Sequence, residues 1–245
     1  MSVHKLSVVV PAYNEERFIA ALVAKVLAVD LSPFGITKQV IVVDDGSKDR
    51  TAEIAAAIEG VTLHKMPRNG GKGAAVRAGI ARADGDLIMI QDADLEYEPD
   101  DYVPMIEELI RSGADAVYGS RYMVRSGSKV RAPKHEGQGW GAYLGGRSLS
   151  LVQWWFTGQF LTDTVTALKL FRAPVIKELE LLTSGFELDH EITAKMLGRG
   201  RTIREVPIRY FPRSKEEGKK IGARDWFIAV RTYARHSRRR RGTPS

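Results

Sequence analysis

Apolar and polar positions fall into blocks along the first half of the chain, and the blocks switch between two periods. Residues 6–10 (LSVVV) form a short apolar run, and residues 15–29 follow with helical spacing. The same alternation repeats. Runs at 39–43, 61–66, 87–90 and 114–118 predict strands, and stretches at 49–58, 72–83 and 101–110 predict helices. Short continuous apolar runs suit strands buried on both faces. Strands alternating with helices predict an α/β fold: a Rossmann-like, mostly parallel sheet with helices on both faces.

The pattern breaks after Arg121. Residues 122–139 are rich in Gly, Ser, Lys and Arg and read as a mobile loop. Residues 140–161 are the most aromatic part of the chain. They are too short and interrupted to span a bilayer, yet too apolar for a simple surface helix. A core helix with a crowded apolar face and an interfacial helix are both open readings. The chain thus divides into residues 1–121, a second stretch at 122–222, and a basic end at 223–245.

Composition narrows the classes. The chain has 245 residues, 44% apolar and 27% charged, which is enough for a sizeable core. It has no cysteine, which excludes disulfides, thiolate metal sites and a cysteine nucleophile. No run of about 18 apolar residues occurs, so no spanning helix is expected. The first residues lead directly into a strand-like run rather than a signal peptide, and a cytoplasmic location is expected. Net charge is +7, and the basic excess sits at the end: residues 231–245 hold Arg231, Arg235 and Arg238 to Arg241 and no acid. Anionic lipid and nucleic acid both attract such a tail, and a plain solvated end is the bland alternative. The tail lacks interleaved aromatics, which argues against nucleic acid.

The candidate chemistry lies at strand ends. Gln91-Asp92-Ala93-Asp94-Leu95-Glu96 follows the run at 87–90. In an extended chain Asp92, Asp94 and Glu96 share one side, offering three hard oxygen donors at the edge where open α/β sheets bind ligands. Pro11 to Glu15 closes the first strand, and Asp44-Asp45-Gly46-Ser47 closes the second. Asp49 reads as a helix cap. Arg68-Asn69-Gly70-Gly71-Lys72-Gly73 is a Gly-rich turn with a cation at a helix start, able to approach a phosphate. It is not a Walker loop, and no Gly-x-Gly-x-x-Gly follows the first strand. Gly119-Ser120-Arg121 adds a guanidinium suited to oxyanions.

These motifs resemble family 2 glycosyltransferases: VVVPAYNEE, VVDDGSKDRT, NGGKGAA, QDADLE and GSRY. The chain is more narrowly similar to polyprenyl-phosphate glycosyltransferases of the dolichyl-phosphate mannose synthase type. That similarity continues through Leu161-Thr162-Asp163, Lys169 to Arg172, Gly185-Phe186-Glu187 and Glu205 to Ile208, and ends near Ile221. The resemblance implies a GT-A fold, a nucleotide-diphosphate sugar and Mg²⁺ or Mn²⁺. It implies that Pro11, Tyr13, Glu15, Val43 and Asp45 hold the nucleoside. Asp92, Ala93 and Asp94 would face the diphosphate, with metal on Asp92, Asp94 and Glu96, the last standing where many relatives have Gln. Lys72, Arg121, Arg213 and Lys219 or Lys220 would meet phosphates, and Arg147 an acceptor phosphate.

The residue inventory agrees with that chemistry. Cleaving a sugar–diphosphate bond needs charge stabilisation on the leaving group, the task implied for a metal held by Asp94 and for Arg121 and Arg213. A phosphate acceptor is already a nucleophile, whereas a hydroxyl acceptor also needs a base. Glu187, Asp189 and Glu191 keep the hydroxyl alternative open, against a plain helix-start role. The expectation is an inverting hexosyltransferase, using GDP-mannose or UDP-glucose and a polyprenyl phosphate, peripheral on the cytoplasmic face of a membrane. A membrane subunit and a homo-oligomer stay open as partners. The alternatives are a family 2 enzyme acting on a saccharide or small-molecule hydroxyl, and a non-catalytic nucleotide- or nucleic-acid-binding protein.

Overall fold

The computed structural model of the protein describes residues 3–123, 140–212 and 223–237. Its first half follows the expected alternation: β1 (Lys5–Ala12), α1 (Ile19–Ala28), β2 (Thr37–Asp44), α2 (Thr51–Ala56), β3 (Val61–Lys65), α3 (Lys72–Arg82), β4 (Leu87–Ile90), α4 (Tyr102–Ser112) and β5 (Ala116–Ser120). Then come α5 (Trp140–Thr157), β6 (Lys169–Arg172), α6 (Ala173–Lys177), α7 (Leu188–Gly198), β7 (Ile203–Pro207) and α8 (Ala223–His236). α1 starts later than the spacing predicts. Asn14 takes φ +56°, and the Glu15 carbonyl first accepts the Phe18 and Ile19 N–H groups at 2.9 Å, closing a turn before the helix begins.

All seven strands form one sheet in the order β3-β2-β1-β4-β6-β5-β7. Six share a direction, and β6 runs against both its neighbours. The chain steps from β1 outward through β2 to β3, then returns to place β4 on the other side of β1. That reversal opens a crevice at the carboxyl ends of β1 and β4, where doubly wound sheets bind ligands.

Alternate residues of the central strands feed opposite cores. Leu6, Val8, Val10, Val40, Val42, Leu87 and Met89 pack with α1 and α4 on one face. Val9, Ile41, Val43, Ile88 and Ile90 pack with α3, α6 and α7 on the other. Two-faced burial explains why these strands read as unbroken apolar runs. It also makes the sheet a rigid base for the loops at its carboxyl edge.

Candidate active site

The loops that follow β1 and β2 are zipped together. The Asn14 N–H donates to Ser47 Oγ (3.0 Å), the Lys48 N–H to Asn14 Oδ1 (2.8 Å), and the Glu15 N–H to Thr51 Oγ1 (2.8 Å). Asp49 accepts the Thr51 N–H (2.9 Å) and the Glu16 N–H (3.1 Å). It is not the helix cap expected of it, because α2 takes Arg50 as its N-cap and Asp49 bonds the turn just before. Pro11 and Val43 are buried beneath this floor, and Tyr13 is exposed above it. Asp45 is buried, and its two oxygens accept the N–H groups of Gly70 (2.7 Å) and Gly71 (2.8 Å).

The Gly-rich turn therefore meets protein where the sequence suggests a phosphate. Its amides clasp Asp45, and its outer side is covered by the loop before α7. A Cβ on Gly71, which has φ +90°, would lie 2.5 Å from the Ser184 carbonyl oxygen. One on Gly73 would lie 2.8 Å from Thr183 O. The Ala74 N–H donates to Ser184 O (3.2 Å), so loop and helix start are joined.

Lys72 is left as the cation of this turn. Its ammonium lies 2.8 Å from Asp92 Oδ1 and 3.0 Å from Oδ2, and 3.6 Å from Asp189 Oδ2. Burial works against its charge, but Asp92 and Asp189 outweigh it and hold Lys72 above the usual lysine range. Asp189 is itself ion-paired to Lys169, which is wholly buried and also donates to the Thr166 carbonyl (2.6 Å). Its carboxyl is held below the usual range; burial opposes this, and Lys169 and Lys72 prevail.

The acidic run after β4 departs from the extended geometry expected of it. The strand ends at Ile90 and the chain turns, with Leu95 at φ +59°. Gln91 is fully buried; it accepts the Tyr102 hydroxyl (2.9 Å) and donates to the Asp92 carbonyl (2.9 Å), fixing the turn. Ala93 is buried between the two aspartates. Asp94 Oδ1 accepts the Glu96 N–H (3.2 Å), and Glu96 accepts the Tyr210 hydroxyl (2.9 Å). Asp92, Asp94 and Glu96 are thus not gathered into a cage, and among the described residues no three acidic or histidine side chains are set to hold a metal. The donor chemistry of Asp92 and Asp94 still fits Mg²⁺ or Mn²⁺, because an ion carried by a diphosphate takes only one or two protein carboxylates.

Arg121 directly follows β5 and is clamped by the fully buried Asp163, at 2.7 Å from Nε and 2.8 Å from Nη2. Its guanidinium also stacks 5.0 Å from the centre of the Tyr210 ring. Glu205 accepts the Thr162 and Asp163 N–H groups at 2.7 and 2.9 Å, and burial raises its carboxyl. Arg147 lies over Tyr122 (5.6 Å) and donates to the Thr162 carbonyl (3.4 Å). Arg213, Lys219 and Lys220 lie outside the described residues, as do residues 124–139, expected to be a mobile loop, and residues 238–245. Glu191 is no open base either: Lys195 and the Leu182 and Thr183 amides hold it down to about 2, against burial.

Sequence reading missed Lys169, Asp163 and Tyr210 as site residues. The signal for the first is visible afterwards: Lys169 is the lone cation inside the apolar run 167–171. A charge there needs a buried partner.

The fold and these motifs can be set against known proteins. A model of glycosyl transferase family 2 matches residues 7–177. The chain is 31% identical to a dolichol-phosphate mannosyltransferase of Pyrococcus furiosus, over 89% of this chain and 60% of that one. It is 37% identical to a dodecaprenyl-phosphate galacturonate synthase of Rhizobium johnstonii, over 73% of this chain and 51% of that one. The chain therefore spans little more than half the length of these two relatives. Among solved structures it is similar to glucosyl-3-phosphoglycerate synthase from Mycobacterium tuberculosis in complex with Mn²⁺, UDP and phosphoglyceric acid. That match has a TM-score of 0.68 at 21% identity, over 99% of this chain and 80% of that one, a likeness of fold. The family match runs through β1, β2 and β4 together with the residues at their ends, and the chain belongs to glycosyl transferase family 2.

Proposed function

We propose that the protein transfers a hexose from a nucleotide-diphosphate sugar to a polyprenyl phosphate at a membrane surface. The observation that carries this reading is Lys72, a buried ammonium held against Asp92 at the β1/β4 crevice. Pro11, Tyr13, Glu15, Val43 and Asp45 lie at the carboxyl ends of β1 and β2, beside the crevice, and would hold the nucleoside, with Pro11 and Val43 as its buried support. The diphosphate then lies against Lys72, whose charge offsets the negative charge that grows on the leaving group. Asp92 and Asp94 would hold Mg²⁺ or Mn²⁺, which supplies further charge stabilisation when bound. The solved relative with Mn²⁺ and UDP supports that assignment.

The acceptor class rests on the acids near the site. Asp189 is committed to two lysines and Glu191 to a lysine and two amides. Neither of these two is poised to take a proton, which suits an acceptor that arrives as an anion. Glu187, half-buried and accepting the Gly185 N–H (3.2 Å), is the acid on which the hydroxyl alternative then rests. Arg121 and Arg147, with Arg213, Lys219 and Lys220, supply cations for it. The relatives named for dolichol phosphate and dodecaprenyl phosphate point the same way. Attack opposite the departing diphosphate inverts the anomeric carbon.

A surface for the lipid adjoins this machinery. On α5, Leu144, Leu151, Trp154 and Trp155 are exposed, Trp155 to 78%. On α8, Phe227 is exposed beside Arg224, Arg231 and Arg235. The two helices pack together, and Trp226 Nε1 donates to Ser148 Oγ (2.9 Å). Apolar side chains flanked by arginine match an anionic bilayer interface. Among the described residues no helix is long and apolar enough to cross a membrane.

The test incubates the purified chain with GDP-mannose or UDP-glucose and polyprenyl phosphate in vesicles. A lipid-linked hexose of inverted configuration is expected, its formation lost in chelator and lowered about a hundredfold or more by Asp94→Asn. Transfer to a soluble saccharide or phosphoglycerate hydroxyl, with none to lipid, would overturn the acceptor. Full activity of Asp94→Asn in chelator would overturn the metal.

A further inference from the structure

We infer that Asp189 and Lys169 are a positioning pair that holds Lys72 in place for the donor diphosphate. The inference rests on the nucleotide-sugar reading of the crevice. Four charges alternate in sign through the protein: Asp92, Lys72, Asp189 and Lys169. Their side chains are 21%, 13%, 10% and 0% exposed, so solvent screens them little.

The geometry gives Lys72 two anchors from different elements. Asp92 comes from the turn after β4, and Asp189 from the first turn of α7. A diphosphate entering the crevice competes with Asp92 for the ammonium. A lysine with a single partner on a flexible four-carbon stem would be free to swing away. Asp189 keeps the ammonium facing the crevice during that exchange. Lys169 makes this possible, because a buried carboxylate shared by two lysines stays charged and fixed. Lys169 reaches the spot because β6 runs backwards: its amino end pairs with Ile90, the last residue of β4, and with Tyr118 in the middle of β5. The Phe186 ring, 5.8 Å from the ammonium, covers it from the loop before α7.

The test measures binding of GDP and UDP, with GMP and UMP as controls, by calorimetry on the full chain. Lys72→Met and Asp189→Asn should each weaken diphosphate binding about tenfold, as expected for losing or misplacing one charge-assisted hydrogen bond. Monophosphate binding should change less than about twofold. Asp189→Asn should add little in a Lys72→Met background, since both act through one ammonium. Removing the pair together, in Asp189→Asn/Lys169→Met, avoids an unpaired buried lysine and should retain the fold while still losing diphosphate affinity. If that double variant unfolds, Asp189→Glu serves instead, with the same selective loss expected. A folded variant lacking Asp189 that binds diphosphate like the wild type would overturn the inference, as would a full additional loss on top of Lys72→Met. Wild-type protein that binds neither diphosphate would overturn the donor reading, a separate failure.

Discussion

His190 lies beside Asp189 but faces a different neighbour, with its Nδ1 3.3 Å from the Tyr233 hydroxyl. Burial pushes its imidazole down to about 4. An unfolded chain would take up that proton near the ordinary value of 6.5. Between those values the unfolded state binds more protons, so stability falls as pH drops from about 6.5 towards 4. His64 and His236 are lowered in the same direction, also by burial first. Urea midpoints measured from pH 7 to pH 4.5 should therefore decline, and His190→Gln should flatten part of that slope. Glu191 acts in a separate window: its stabilisation is complete above the ordinary 4.5 and disappears as pH falls towards 2. At this scale the sequence shows which residues carry charge but not which charges meet. Asp92 and Lys72 are twenty positions apart, as are Lys169 and Asp189. Only folding reveals that the four form one series.

The Gly-rich turn and the loop before α7 form the element most sensitive to a small change. Adding a methyl at Gly71 combines a disfavoured backbone angle with a clash against Ser184. Gly71→Ala should cost about 1–3 kcal/mol of stability, measured by chemical denaturation. β1, β2, β4 and β5 were legible because burial on both faces leaves a continuous apolar signature. β3, the partly exposed edge strand, was legible from Val61 and Leu63 within the strand–helix alternation. β6 and β7 were not. β6 has four residues and begins with a lysine, and β7 has adjacent Arg204 and Glu205 that break its apolar run. Both owe their pairing to distant strands rather than to local pattern. The geometry after β4 was likewise hidden, because three acids spaced two apart look alike whether the chain runs straight or turns at Leu95. For α5 the sequence left core and interface open. The helix has a buried side at Leu149, Ser150 and Gln153 and an exposed side at Leu151 and Trp155.

On the scale of the whole molecule, the exposed apolar side chains of α5 lie on a helix packed against the arginine-bearing α8. If α5 and α8 form the lipid-facing surface, binding to anionic vesicles should weaken with added salt, since each basic residue near such a surface contributes about 1 kcal/mol. Removing residues 236–245 should weaken it further without lowering the melting temperature. Co-sedimentation with vesicles, unchanged by both treatments, would leave the arginines as a solvated end. The reversed strand has a different consequence, which concerns the order in which the protein can be made. β5 touches no earlier strand in the sheet; its partners are β6 and β7. As the chain emerges from the ribosome, β1 to β4 can pair as soon as they appear. β5 must wait, with both edges unpaired, until residues 169–172 have been synthesised and have slotted in beside β4. Synthesis therefore passes through an interval in which a finished-looking half-sheet carries an exposed apolar strand, the stage at which a nascent chain is most open to mispairing and to chaperone capture.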